Sequence, residues 1–272
     1  MVRSLWSAAT GMNAQQTNVD TIANNLANVN TVGYKSQVAQ FKSLLYQTLQ
    51  TKTTTANGDA KPTSSQVGLG VRNSSIDSIF RQGSLLSSES DTSFAIEGDA
   101  FFAVQGSDGN TYYTRNGDFT WATNGAGGMI LTDQDGLPVL SSTGRTITLN
   151  SNYVTSRVTI TGDGTICYPD ASNNPQSLGM KIGLYQFNNP GGLERQGSTL
   201  WAVTEASGAV LNEATNNNLA KSKVVQGYLE GSNVQVADEM VNLIVAQRAY
   251  EMNSKAITTT DEMMQTANNL KR

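Results

Sequence analysis

The sequence predicts an α+β chain: coiled-coil-like helices at the N- and C-termini that pair together, with a β-rich middle domain made of antiparallel hairpins. Three observations carry this. Apolar residues recur every seven positions at both ends, the middle alternates short apolar runs with Asp-Gly and Asn-Gly pairs, and the last long segment contains neither Gly nor Pro.

The first element is the N-terminal helix. Leu5, Met12, Val19 and Leu26 are spaced by seven, and Ala8, Gln15, Ile22 and Val29 fill the second seam position. Two seam positions per heptad make a stripe narrower than the face of a globular helix, so the segment needs a partner to be stable. Gly33 stands where a helix stop is expected. Within this rhythm lies the stretch Ala23-Asn24-Asn25-Leu26, and Ala267-Asn268-Asn269-Leu270 repeats it near the other end. Asparagine offers uncharged donors and acceptors, so Asn24 and Asn25 are expected to bond between subunits of an assembly. Asn28 and Asn30 read equally well as helix-end residues.

Residues 46–66 are too polar to form a core, and their threonines favour extended structure, which predicts an arm or hairpin. From about residue 67 to 225 the apolar runs include Phe94–Val104, Thr111–Arg115, Met180–Phe187 and Thr199–Val203. Asp108-Gly109, Asn116-Gly117, Asp135-Gly136 and Asp163-Gly164 are the expected turns, and a sandwich- or barrel-like domain follows from the spacing.

The C-terminal helix repeats the first device. Val236, Leu243, Tyr250, Ile257 and Met264 are spaced by seven, with Met240, Gln247, Ser254, Asp261 and Asn268 expected as their seam partners. Half of that seam is polar, which weakens an isolated pair and fixes its register. The predicted division is a discontinuous helical assembly core (1–35 and 227–272), an extended linker or hairpin arm (36–72) and a β-rich outer domain (73–226).

Composition removes most chemistry. The chain has no histidine, so His-based triads and the commonest zinc ligand are excluded. One cysteine, Cys167, excludes an intrachain disulfide framework and reads as a buried thiol. A net charge of −4 with no run of Lys or Arg gives no footprint for nucleic acid, and no apolar stretch has the ~20 residues of a membrane span. The N-terminal stretch has no continuous apolar core or cleavage site, so no removable leader is expected. Asp133 and Asp135 resemble the start of a calcium loop, but the twelfth position is Gly144 instead of Glu, and a turn is the better reading. Gly68 and Gly70 lack the third glycine of a dinucleotide loop, and Glu97 and Asp99 read as solvent-facing. No catalytic residue, cofactor or metal site is expected.

Three segments carry a family resemblance. Residues 23–35, ANNLANVNTVGYK, resemble the N-terminal signature of bacterial flagellar rod and hook proteins. Residues 227–257, beginning GYLEGSNVQVADEM, resemble their C-terminal signature, and FAIEGDAFFAV with YYTRNGDF (94–119) resembles their central module. Within that family, residues 44–72 are similar to the distal rod members; a proximal rod or hook subunit is the neighbouring alternative. The resemblance implies a non-enzymatic subunit of a straight, hollow, self-assembling driveshaft crossing the periplasm, exported by the flagellar type III apparatus. It implies contacts with its own copies, with proximal rod and hook proteins at the two ends, and with surrounding P and L ring proteins. The expected assembly interface is Leu5, Met12, Val19, Ile22, Asn24, Asn25, Leu26, Val29, Val236, Met240, Leu243, Tyr250, Ile257 and Met264.

Overall fold

The computed structural model describes residues 2–50, 65–125, 127–170, 172, 174–197, 199–216 and 218–270. A helix at each end and a middle of antiparallel strands make up the chain, which divides into two units. One comprises residues 1–27, 37–78 and 235–272; the other comprises 28–36 and 79–234.

In the first unit, α1 (Val2–Ala27) and α2 (Val236–Asn269) lie against each other. They run antiparallel: Gly11 faces Asn253, and Asn25 bonds Glu239, so rising numbers on one helix meet falling numbers on the other. Asp238 and Glu239 sit in the first turn of α2, where a carboxylate complements the helix dipole. α1 ends at Ala27, earlier than Val29 and six residues before Gly33. The chain turns there because local bonds compete with the helix: Thr31 N–H donates to the Asn28 carbonyl (3.2 Å), and Thr31 Oγ1 donates to Asn28 Oδ1 (3.1 Å). Gly33 therefore does not cap the helix. It has φ +69°, and a Cβ there would stand 2.6 Å from the Asn116 nitrogen, so the residue is small because two backbones cross.

Two ribbons complete this unit. Strand Gln37–Ser43 pairs antiparallel with Val71–Ser78, with a register shift between Gln40 and Phe41. Strand Tyr46–Gln50 pairs antiparallel with Ser65–Gly68, and the arm residues 51–64 between them lie outside the described residues. α1 packs on the first ribbon as well as on α2. Val71 N–H donates to Thr10 Oγ1 at 3.4 Å.

The second unit is built on a six-stranded antiparallel sheet. Its order is Glu194–Gly197, Leu200–Ala202, Thr111–Thr114, Phe101–Gln105, Leu184–Gln186, Leu211–Asn212. Phe101–Gln105 is apolar at consecutive positions because both its faces are covered. Phe102 and Val104 join a core with Phe94, Phe119, Leu131 and Ile182, while Phe101 and Ala103 join Tyr113, Phe187 and Trp201 on the other side. Two three-stranded sheets and two ribbons surround it. Gly109, Gly136 and Gly164 take φ near +80° at turns between or beside strands, as their Asp-Gly pairs predict. Asn116-Gly117 makes no hairpin: the Gly117 carbonyl accepts the Phe94 N–H at 2.9 Å, so this glycine lets another chain segment approach.

Candidate assembly surface

Helical geometry sorts the end segments into inward and outward rows. On α2 the buried or half-buried positions are Glu239, Leu243, Ala246, Ala249, Asn253, Ser254, Ile257, Thr260 and Met264, stepping mostly by three or four. Ala246 is 1% exposed and Thr260 5%. Of the expected heptad, Leu243, Ile257 and Met264 lie in this row, whereas Val236 and Tyr250 are each 41% exposed; Glu239, Ala246, Asn253 and Thr260 lie in it as well, and of the expected partners Ser254 alone does. A four-step and a three-step both satisfy the sevenfold spacing, and the sequence alone does not order them. Met240, Gln247 and Asp261 are exposed.

On α1 the row toward the neighbouring elements is small or polar except for Ile22: Ser7, Ala8, Gly11, Ala14, Thr21, Ile22 and Asn25, with Ala8, Ala14, Thr21, Ile22 and Asn25 buried. A Cβ on Gly11 would stand 2.9 Å from Asn253 Nδ2, so the helices approach closely at this level. Leu5, Met12, Val19 and Leu26 are half-buried beside this row, and so is Val29 in the segment that follows α1.

Asn24 is exposed, whereas Asn25 is buried. The Asn25 amide accepts the Gln37 N–H and donates to the Gln37 carbonyl, both at 2.8 Å, imitating a strand neighbour. It also donates to Glu239 Oε1 at 3.1 Å. Asn25 thus ties α1, the ribbon and α2 within one chain.

The outward face of α2 is the feature the heptad misses. Met240, Val241, Ile244, Val245 and Met252 are between 53% and 67% exposed, and Val236 and Tyr250 are each 41% exposed. The signal is present in the sequence as Leu243-Ile244-Val245, three large apolar residues in succession, where a two-position seam requires one. Trp6 on α1 is 66% exposed. A row of large apolar side chains on an exposed helix marks a surface that meets another macromolecule.

The second unit contains a buried charge cluster drawn from all three family-like segments. Lys35 Nζ lies 2.6 Å from Glu230 Oε1, and Arg115 Nη1 lies 3.2 Å from Glu230 Oε2. Lys35 and Glu230 are wholly buried and Arg115 nearly so. Lys35 also donates to the Arg81 carbonyl (2.9 Å), Gly83 N–H donates to Glu230 Oε1 (2.9 Å), and Arg115 Nη2 donates to the Gly98 carbonyl (2.7 Å). Burial lowers the Lys35 and Arg115 pKa values, and the Glu230 carboxylate opposes both shifts. Beside it the Arg195 guanidinium lies 4.8 Å from the Tyr34 ring and 4.9 Å from that of Trp201, and it donates to the Lys35 carbonyl at 3.2 Å. These bonds fold the second unit; they present no reactive group to a cleft.

Among the described residues no group of three His, Cys, Asp or Glu side chains is placed to hold a metal. Asp133 lies in a turn closed by Gly136 N–H to the Asp133 carbonyl at 2.9 Å, and burial raises its carboxyl pKa. Glu97 and Asp99 are exposed, and Cys167 is a buried free thiol. No described helix is long and apolar enough to cross a membrane.

Comparison with known proteins places these features in a class. Residues 5–35 match the family described as flagella basal body rod protein, residues 95–168 the flagellar hook protein FlgE/F/G D1 domain, and residues 225–270 the flagellar basal body rod FlgEFG protein C-terminal region. The class is that of the structural rod and hook proteins of the flagellum. The chain is 43% identical to the flagellar basal-body rod protein FlgG of Borreliella burgdorferi, with 100% of each chain covered. It is 40% identical to that of Caulobacter vibrioides (99% of this chain, 100% of the relative) and 37% identical to that of Bacillus subtilis (100% of each). The chain belongs to the FlgG family of flagellar basal-body rod proteins.

Proposed function

We propose that the chain is a distal rod subunit that assembles with its own copies into a straight hollow shaft carrying motor torque to the hook. The carrying observation is the exposed apolar row of α2, Met240, Val241, Ile244, Val245 and Met252, in a chain of the rod family. Left in water that row is a liability; covered by neighbouring helices it drives association, at ~25 cal/mol per Å² of apolar area removed from water. The two helices pair as a short coiled-coil-like hairpin, and the half-buried Leu5, Met12, Val19 and Leu26 complete their burial in the assembly. Leu243, Ile257 and Met264 hold the hairpin together, while Val236, Met240 and Tyr250 reach outward.

The ends of the shaft meet proximal rod and hook proteins, and its outer face meets the P and L ring proteins. Export proceeds through the flagellar type III apparatus, and the shaft spans the periplasm. The ribbon Tyr46–Gln50 with Ser65–Gly68 reaches between neighbours and holds the shaft straight.

Electron microscopy of concentrated purified chain tests the function. Straight hollow tubes are expected; curved tubes would point to a hook-like role, and a chain that remains monomeric at every concentration would sink the proposal.

A further inference from the structure

We propose that Trp6 of one copy seats in a groove between α1 and α2 of the next copy, making a head-to-tail contact that anchors the polymer. The inference rests on the assembly reading above and names the pair of surfaces that meet.

The groove is lined by Gln16 and Val19 from α1 and by Gln247, Tyr250 and Glu251 from α2, and it measures about 380 Å³. Val19 and the Tyr250 ring supply apolar lining, and Gln16, Gln247 and Glu251 supply amide and carboxylate acceptors. An apolar lining with acceptors suits an indole, whose N–H needs an acceptor once water is excluded. Among the described residues Trp6 is the single large hydrophobic residue of α1 that is exposed, at 66%.

Trp6 cannot fill the groove of its own chain. Ten residues separate it from Gln16, about 15 Å along a helix rising ~1.5 Å per residue. A knob and a hole at different points of one chain can meet head to tail, and a heterologous pair whose rotation does not close repeats into an open helical polymer. The groove also continues the apolar row of α2: Met240 and Ile244, 53% and 55% exposed, precede Gln247 and Glu251 on the same helical line. One tryptophan buries only ~150–250 Å², against the ~1,200–2,000 Å² of a stable interface, so the contact is an anchor within that wider face.

The test compares Trp6→Ala, Val19→Trp, which fills the groove, and the double variant. Each monomer is first shown to have the parent's helix content by circular dichroism. The critical concentration for tube formation, read by sedimentation, is expected to rise roughly 30-fold or more for each single variant, as for an anchor residue of an interface. The double variant is expected to be no worse than either single one, because both changes break the same contact. Multiplicative effects in the double variant, or parent-like polymerisation of Trp6→Ala, would overturn the pairing. Loss of polymerisation on Tyr46→Ala with Trp6→Ala unaffected would overturn it in favour of another occupant. Failure of the parent chain itself to form tubes would sink the assembly reading and this inference with it.

Discussion

Glu230 stands between two buried cations, and its position explains why a chain with few charges puts three of them out of reach of water. A buried carboxylate is tolerated only if paired and bonded on every side, and here Lys35, Arg115 and the Gly83 N–H occupy it. Arg115 also lies over the Phe101 ring, with the guanidinium carbon 4.9 Å from its centroid. Removing the carboxylate charge leaves two cations uncompensated. Glu230→Gln is therefore expected to lower stability by roughly 3–5 kcal/mol, measured as a fall in the urea midpoint followed by tryptophan emission. Replacing the three charged residues together by apolar ones (Lys35→Met, Arg115→Leu, Glu230→Leu) is expected to recover most of that loss. A triple variant as unstable as Glu230→Gln would mean that the bonds to Arg81, Gly83 and Gly98 matter more than the charges.

At the scale of the element, α1 and α2 divide their side chains by size. Small residues, Gly11 and Ala14 on α1 and Ala246 on α2, face inward and let the helices approach, while large apolar residues of α2 face out. A larger side chain in the inward row must push the helices apart. Ala246→Leu is expected to destabilise the pair by ~1–3 kcal/mol, seen as faster amide exchange along α1. Val245→Leu, on the exposed face, is expected to stay within ±0.5 kcal/mol of the parent. Equal protection in the two variants would mean that the contact row has been assigned to the wrong side of α2.

The whole molecule joins two units through four chain crossings, at residues 27/28, 36/37, 78/79 and 234/235. Inside the second unit the residues next to three of those crossings are bonded to one another. Ser36 N–H donates to Asn233 Oδ1 (2.7 Å), Ile79 N–H donates to the Ser36 carbonyl (2.8 Å), and Asn233 Nδ2 donates to the Ile79 carbonyl (2.8 Å). These bonds hold the three segments together within the second unit. The proposed source of stiffness in the assembled shaft is the arm of residues 46–66, whose described ribbon belongs to the first unit. Deleting residues 46–66 is expected to leave tube formation intact, since the helices are untouched, and to yield curved or flexible tubes under the electron microscope. Tubes as straight as the parent's would move the stiffness to the helices or the β unit.

Much of this was legible along the chain because its causes are local. A sevenfold apolar spacing dictates a helix at each end, the second of them without Gly or Pro, and Asp-Gly pairs between apolar runs dictate antiparallel strands, since both depend on neighbours a few residues away. Family membership was legible for a similar reason: its signatures are short continuous segments. The sequence could not order the steps within the heptad, so the inward partners of Leu243 turned out to be Glu239 and Ala246. It could not say that Gly33 is small because the Asn116 backbone crosses it, or that Asn25 spends its amide on Gln37 and Glu239. Nor did it join Lys35, Arg115 and Glu230, which lie 80 and 115 residues apart along the chain. Each of these contacts is between residues distant in sequence, and only the packed chain brings them within bonding reach.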